Sequence, residues 1–199
     1  MKINRVLVTG SNGFVGKHLI QHLKKNSIEC LSFPETIDIR EKKHVINFCS
    51  NYSFDGVIHL AAKIFIPRAI ENPQETYDVN VTGTKNLLEA LKLNDFCGVF
   101  LFIGSSDVYG VVSESHLPII EDMPLSPLNP YSQSKVKAEE LCKKWSETEQ
   151  KMRIVMTRSF SHIGPLQNER FVISGFCKQV AMMSNEVQKP YLETGNLDI

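Results

Sequence analysis

Short apolar runs rich in β-branched and aromatic residues alternate along this chain with longer segments whose apolar residues recur every three or four positions. The runs are Val6-Leu7-Val8, Ile28 to Phe33, Val57-Ile58-His59-Leu60, Val99 to Ile103 and Ile154-Val155-Met156. The periodic segments are marked by Phe14, Val15, Leu19 and Leu23, by Leu87, Leu88 and Leu91, and by Val172, Phe176, Val180 and Met183. A further helix is predicted over Tyr131 to Trp145, entered through Pro130, with Val136, Ala138, Leu141 and Cys142 available for packing. Strand alternating with helix predicts an α/β fold, a doubly wound parallel sheet with helices on both faces. Val99-Phe100-Leu101-Phe102-Ile103 has no polar alternation, which predicts a central strand buried on both sides.

One connection stands out. From Gly110 to Pro130, about twenty residues carry four prolines and no periodicity. Loops of that size in compact domains are usually functional or disordered, and the position before the Tyr131 helix predicts a substrate-side loop.

Composition narrows the partners. The 199 residues are 42% hydrophobic and 22% charged, enough for a real core, and 22 basic residues balance 22 acidic ones. A net charge of zero gives no electrostatic reason to expect a nucleic-acid or anionic membrane partner. The five cysteines are scattered without a Cys-x-x-Cys pair and read as reduced, mostly packed thiols. The start, Met1-Lys2-Ile3-Asn4-Arg5, lacks the apolar run of a signal peptide, and no stretch has the length of a membrane span. A cytoplasmic location is expected.

Chemistry enters with Thr9-Gly10-Ser11-Asn12-Gly13-Phe14-Val15-Gly16, a glycine loop between the first strand and the first helix. The first glycine permits a tight turn, the second lets phosphates approach bare backbone, and the third allows helix and strand to pack closely. The helix start then offers free N–H groups to a pyrophosphate. Asp38-Ile39 follows the second strand region, and His59-Leu60-Ala61-Ala62 closes the third with small residues against which a ribose or nicotinamide could lie. His59 reads as a hydrogen-bonded histidine at a strand end rather than a catalyst. Asn80-Val81-Thr82-Gly83-Thr84 leads into a helix.

Ser105-Ser106-Asp107-Val108-Tyr109-Gly110 leaves the fourth strand at the carboxyl edge of the sheet, where open α/β folds bind ligands. If the chain stays extended, Ser105 and Asp107 face one way and Ser106 the other, which makes Ser105 the better partner for a substrate oxygen. Tyr131 and Lys135 stand four apart on one helix face. A cation held beside a phenol favours the phenolate and brings its pKa toward neutrality, so the pair is a candidate proton donor. His18 and His22 share metal-ligand spacing, but without a third ligand nearby they read as an exposed helix face, and no metal is expected.

Taken in order, Thr-Gly-x-x-Gly-Phe-x-Gly, His-Leu-Ala-Ala, Asn-Val-x-Gly-Thr, Ser-Ser-x-x-Val-Tyr-Gly and Pro-Tyr-x-x-Ser-Lys resemble the extended short-chain dehydrogenase/reductase family of nucleotide-sugar epimerases, dehydratases and reductases. The resemblance implies a Rossmann-type fold with NAD or NADP as cofactor. It assigns Tyr131 as acid/base, Lys135 as the residue that lowers its pKa and holds the cofactor ribose, and Ser105 as the partner of the reacting sugar oxygen. Gly10, Asn12, Gly13, Phe14, Val15, Gly16, Asp38, Ile39, Leu60, Ala61, Ala62 and Asn80 would contact the dinucleotide together with Tyr131 and Lys135. Where NAD-binding relatives place an acid on the ribose, about twenty residues past the glycine loop, Glu35 is the nearest carboxylate, and no arginine follows the second strand closely enough to argue for a phosphate.

Arg158-Ser159-Phe160-Ser161-His162-Ile163-Gly164-Pro165, Phe171 to Phe176 and Gly195-Asn196-Leu197-Asp198 look like the GDP-4-keto-6-deoxymannose reductases and the GDP-mannose 4,6-dehydratases. That narrower likeness implies a nucleoside-diphosphate sugar substrate, a GDP-sugar for preference, with Ser106, Arg158 and Ser161 toward it. Asp107 stands where the dehydratases carry a glutamate, which favours reduction over elimination, with 4-epimerase and 4,6-dehydratase as alternatives. Relatives read Arg-Pro-Phe-Asn where this chain has Ser159 and Ser161, and they continue past the position of Ile199 with residues that complete the sugar pocket. The expected organisation is therefore a dinucleotide-binding domain over 1–158 carrying the catalytic residues, and over 159–199 the start of an incomplete substrate region. A homodimer is left open, and so is a non-catalytic dinucleotide-binding module.

Overall fold

The computed structural model describes residues 2–34 and 36–195, in two compact units, 1–160 and 161–199. The sequence expectation divides the chain two residues earlier.

Five parallel strands form the sheet of the first unit: β1 (Arg5–Thr9), β2 (Glu29–Ser32), β3 (Gly56–His59), β4 (Val99–Ile103) and β5 (Arg153–Thr157), in the order β2-β1-β3-β4-β5. Each of the apolar runs read from the sequence is a strand. The chain leaves β1 for β2 on one side and returns to β3 on the other, so the order reverses at β1 and opens a crevice between the carboxyl ends of β1 and β3.

The helices of this unit are α1 (Phe14–Lys25), α2 (Lys42–Asn51), α3 (Ile66–Glu71), α4 (Pro73–Tyr77), α5 (Gly83–Leu93) and α6 (Pro130–Thr148). Between α4 and α5 the backbone makes a π-helical turn, Asp78–Thr82. Alternation along the strands sends Leu7, Val57, Phe100 and Phe102 into one core with Val45, Phe48, Leu87, Leu88, Leu91, Ala138 and Cys142. Val6 and Val8 go to the other face, beneath Leu19 and Leu23 of α1. The start of α6 is written in its sequence: Pro130 occupies the first turn, Asn129 Oδ1 accepts from Ser132 N at 2.9 Å, and Ser132 Oγ accepts from Asn129 N at 3.2 Å.

Two expectations are corrected. Burial of β4 on both faces does not hold: Phe100 and Phe102 are fully buried, but Val99, Leu101 and Ile103 are half-buried, because the cluster beneath α1 gathers Val6, Val8, Leu23 and Ile58 and leaves them outside it. The strand closed on both sides is β1. Of the cysteines, Cys49 and Cys142 are buried, whereas Cys97 and Cys177 are exposed rather than packed.

The long connection after Gly110 has one short 3-10 turn, Glu114–His116. It doubles back at its far end, where Ser126 N donates to Val108 O at 2.9 Å. Gly110 makes the close approach with φ +68°, and a Cβ there would lie 2.2 Å from Ser126 O.

In the second unit, α7 (Val172–Ser184) is the helix that the Val172 to Met183 periodicity predicts. Asn196, Leu197 and Asp198, which carry part of the narrower resemblance, lie outside the described residues, as does Glu35. No helix among the described residues is long and apolar enough to cross a membrane.

Candidate active site

The glycine loop turns directly out of β1 into α1. Gly10 has φ +69°, and a Cβ on it would lie 2.7 Å from Ala61 N, so β3 closes against bare backbone. Gly16 packs equally tightly, its Cβ position falling 2.4 Å from Gly10 O. At Gly13 the nearest such contact is Gly10 O at 3.1 Å, and Gly13 is the residue from which α1 starts with no side-chain cap. The first-turn N–H groups of α1 are thus open to an anion.

Gly10, Ser11, Asn12 and Gly13 line one end of a groove of about 380 Å³ at the strand-order reversal. The other end is Phe33, Pro34, Ile37, Asp38, Ile39 and Arg40, with Ala61, Lys63 and Val79 along the side. A glycine cradle at one end and apolar walls at the other fit a dinucleotide, with phosphates over Gly10 to Gly13 and the adenosine toward Ile37 to Ile39.

Of the residues expected at the cofactor, Gly10, Asn12, Gly13, Asp38, Ile39 and Ala61 line this groove. Phe14, Val15, Gly16, Leu60, Ala62 and Asn80 do not. Gly16 shapes the loop from beneath, Phe14 stacks edge-on against His18, and Leu60 packs in the core under α1. Arg40, Lys63, Phe33, Pro34 and Ile37 line the groove although the sequence reading passed over them. Arg40 follows Asp38 closely after all: its Nε lies 3.0 and 2.9 Å from the two carboxylate oxygens. That hydrogen-bonded guanidinium holds the Asp38 carboxyl below its usual range.

Beyond β4 the chain does not stay extended, which corrects the alternation argument. Residues Ser106–Tyr109 form a 3-10 turn capped by Ser105, whose Oγ accepts from Asp107 N at 3.2 Å. The turn is what brings Ser105 and Asp107 both beside Tyr131 of α6. Tyr131 is 9% exposed; burial raises its pKa, the Ser105 hydrogen bond lowers it in part, and the Asp107 charge raises it again. Burial raises the Asp107 pKa as well.

Lys135, one turn further along α6, is bonded to the end of β4. Its Nζ donates to Ile103 O at 2.8 Å and stands over the Phe102 ring, and burial lowers its pKa to about 8. In this structure the phenol is held protonated.

Of the residues expected toward the substrate, Ser106 and Arg158 lie in the first unit. Arg158 is committed internally: Nε to both Glu139 oxygens at 3.2 and 3.1 Å, and Nη1 to Tyr109 Oη at 2.9 Å and Glu121 O at 2.7 Å. With that carboxylate as partner its pKa is raised further, and the guanidinium joins β5 to α6 and the long loop at the edge of a cavity of about 480 Å³ that it lines with Tyr109, Glu121 and Glu139. Ser106 is half-buried and its N–H donates to Ser159 O at 2.9 Å. Ser161 belongs to the second unit, where it is exposed.

His59 is buried between Thr9 and Thr84, and burial, with the nearby Lys135 charge, lowers its pKa to about 3. An unfolded histidine titrates near pH 6.5, so below that pH the unfolded chain takes up a proton that the folded chain refuses. The stability due to His59 is present above about pH 6.5 and is lost by about 1.4 kcal/mol per pH unit below it, toward about pH 3. Urea unfolding between those limits should show this slope, and His59→Gln should flatten it; equal slopes would contradict the assignment.

No group of three or more His, Cys, Asp or Glu able to hold a metal occurs among the described residues.

Residues 6–198 match the family model described as the NAD dependent epimerase/dehydratase family. The GDP-6-deoxy-D-mannose reductase of Pseudomonas aeruginosa is 42% identical over 98% of this chain, which spans 64% of that enzyme. A Pseudomonas aeruginosa structure described as RMD complexed with NADPH superposes with a TM-score of 0.91 at 41% identity, over 98% of this chain and 66% of that one. The Thermus thermophilus UDP-glucose 4-epimerase complex with NAD gives 0.81 at 26% identity, over 88% and 62%. The chain therefore spans just under two thirds of these three relatives. With a glycine cradle at the strand-order reversal and Ser105, Tyr131 and Lys135 past β4, this chain belongs to the NAD dependent epimerase/dehydratase family, whose cofactors are NAD and NADP.

Proposed function

We propose that this chain is the cofactor-binding and proton-donating part of an NAD(P)-dependent nucleotide-sugar oxidoreductase that reduces a 4-keto-6-deoxy sugar carried on GDP. The observation that supports it most is the state of Tyr131: a phenol held protonated by burial beside the Ser105 hydroxyl is a donor, and reduction of a ketone needs a donor. Likeness to the Pseudomonas aeruginosa GDP-6-deoxy-D-mannose reductase supports the sugar and the nucleotide.

Gly10 to Gly13 and the walls from Phe33 to Arg40 would hold the dinucleotide. When bound, the nicotinamide supplies the hydride. Ser105 and Tyr131 polarise the keto oxygen, and the Tyr131 O–H passes its proton to that oxygen. Lys135, buried and anchored on Ile103 O, keeps a positive charge near the phenolate that remains. A second reading rests on Asp107, whose raised pKa beside Tyr131 suits a carboxyl that exchanges protons; it supports a 4,6-dehydratase, with 4-epimerisation as the variant that needs no such carboxyl.

Titrating NADH and NADPH into the chain and then adding a GDP-4-keto-6-deoxy sugar tests the proposal. Loss of reduced-cofactor absorbance is expected only with sugar present. Binding with no oxidation by any candidate sugar would overturn it in favour of a dinucleotide-binding module.

A further inference from the structure

Beneath the groove runs a chain of buried hydrogen bonds that the proposed reaction does not use. Thr9 Oγ1, at the end of β1, lies 2.7 Å from His59 Nδ1, and Thr84 Oγ1, in the first turn of α5, lies 2.9 Å from His59 Nε2. Thr9 and Thr84 are 0% exposed and His59 is 2% exposed.

The proton positions follow from the remaining bonds. Thr84 Oγ1 is 2.6 Å from Asn80 O, a carbonyl that cannot donate, so the hydroxyl gives its hydrogen there and accepts from His59 Nε2–H. Thr9 Oγ1 accepts Ala61 N–H at 3.1 Å, and its own hydrogen is left to Nδ1. The imidazole is neutral with its hydrogen on Nε2, and a second proton on Nδ1 would meet the Thr9 O–H head-on.

The two ends of the chain reach the two halves of the site. At one end, Ala61 is the wall on which Gly10 packs. At the other, Asn80 sits in the π-helical turn, a geometry rare enough to need support from its surroundings. Its Oδ1 accepts Lys63 N at 2.8 Å, and its Nδ2 donates to Lys63 O at 3.1 Å and to Ser134 Oγ at 2.8 Å. Ser134 Oγ in turn donates to Tyr131 O at 2.6 Å. Thr84, by bonding the Asn80 carbonyl, fixes the turn from which that amide reaches α6.

We propose that His59 is a positioning residue for proton transfer, holding through Thr84 and Asn80 the first turn of α6, and Tyr131 with it, in place against the groove wall of Ala61 and Lys63. Its link to catalysis rests on the reading of Tyr131 as the proton donor.

Thr84→Val is nearly isosteric and deletes only the hydroxyl link, whereas Thr84→Ser keeps it. With 15N in the histidine rings, His59 should show a protonated Nε2 and an unprotonated Nδ1 that stay unchanged between about pH 5 and pH 8. The opposite tautomer, or titration in that range, overturns the proposal. With 13C at tyrosine Cζ, the Tyr131 signal, identified by its loss in Tyr131→Phe, should shift in Thr84→Val and return in Thr84→Ser. An unmoved signal overturns it.

In turnover, Thr84→Val should lower kcat about tenfold, as a small misplacement of a reacting group does, with the dinucleotide KM within about twofold, and Thr84→Ser should restore kcat. Parallel losses that serine does not rescue would reduce the network to packing and overturn it. If no chain, wild type included, turns over a sugar, the reading of the reaction fails, and the two spectroscopic results still decide whether His59 positions Tyr131.

Discussion

Tyr131→Phe should lower sugar turnover by about a thousandfold or more, the scale of a lost general acid, while the dinucleotide Kd stays within about twofold. The substitution deletes one oxygen from a ring that is already buried, so no cavity opens in α6. The Tyr131 carbonyl keeps its bond from Ser134, and Ser105 keeps its bond from Asp107 N, so both neighbours stay in place. What disappears is the one O–H that burial holds protonated next to Ser105. Fluorescence titration with NADPH and an absorbance assay with sugar measure the two halves separately. A variant with unimpaired turnover would remove Tyr131 from the reaction.

Gly16→Ala should damage both the fold and the cofactor cradle. Its Cβ would stand 2.4 Å from Gly10 O, 2.6 Å from Ser11 O and 2.7 Å from Ser11 Cα, and all three are backbone atoms of the glycine loop. No side chain can swing aside, so α1 must move off β1 or the loop must open. Overpacking of this kind costs about 1 to 3 kcal/mol of stability, and a displaced cradle should weaken dinucleotide binding by about a hundredfold. Gly56→Ala in β3, away from the groove, is the control, since its Cβ would meet nothing closer than Val99 O at 3.6 Å. Isothermal titration of NADPH into both variants, with circular dichroism for folding, distinguishes them; equal affinities would contradict the close-packing role of Gly16.

The strands and the main helices were legible because their apolar periods are long and strong, as in Val99 to Ile103 or Leu87 to Leu91. The helix α2 was not, since Val45, Phe48 and Cys49 are its only buried residues among lysine, asparagine and serine. The turn after β4 defeated the alternation argument for a physical reason: the Ser105 hydroxyl captures Asp107 N, and a local side-chain bond of that kind overrides extension. Spacing placed Tyr131 and Lys135 on one helix, but the acceptor that decides where the ammonium points, Ile103 O, comes from a strand 32 residues away. The internal bonds of Arg158 were hidden for the same kind of reason, because its partners Glu139, Tyr109 and Glu121 are joined to it only by the fold. Arg40 was within reach of the sequence, two residues past an aspartate that its side chain matches.

The Ser126 to Val108 bond has a consequence for how this molecule can change over generations. It ties the two ends of the long connection together before α6 begins, with Arg158 on Glu121 as a tether at mid-course. Residues 111–125 can therefore lengthen, shorten or change character with little mechanical pull on the helix that carries Tyr131. A scaffold built this way lets natural selection rewrite the loop while the helix that follows it is inherited unchanged.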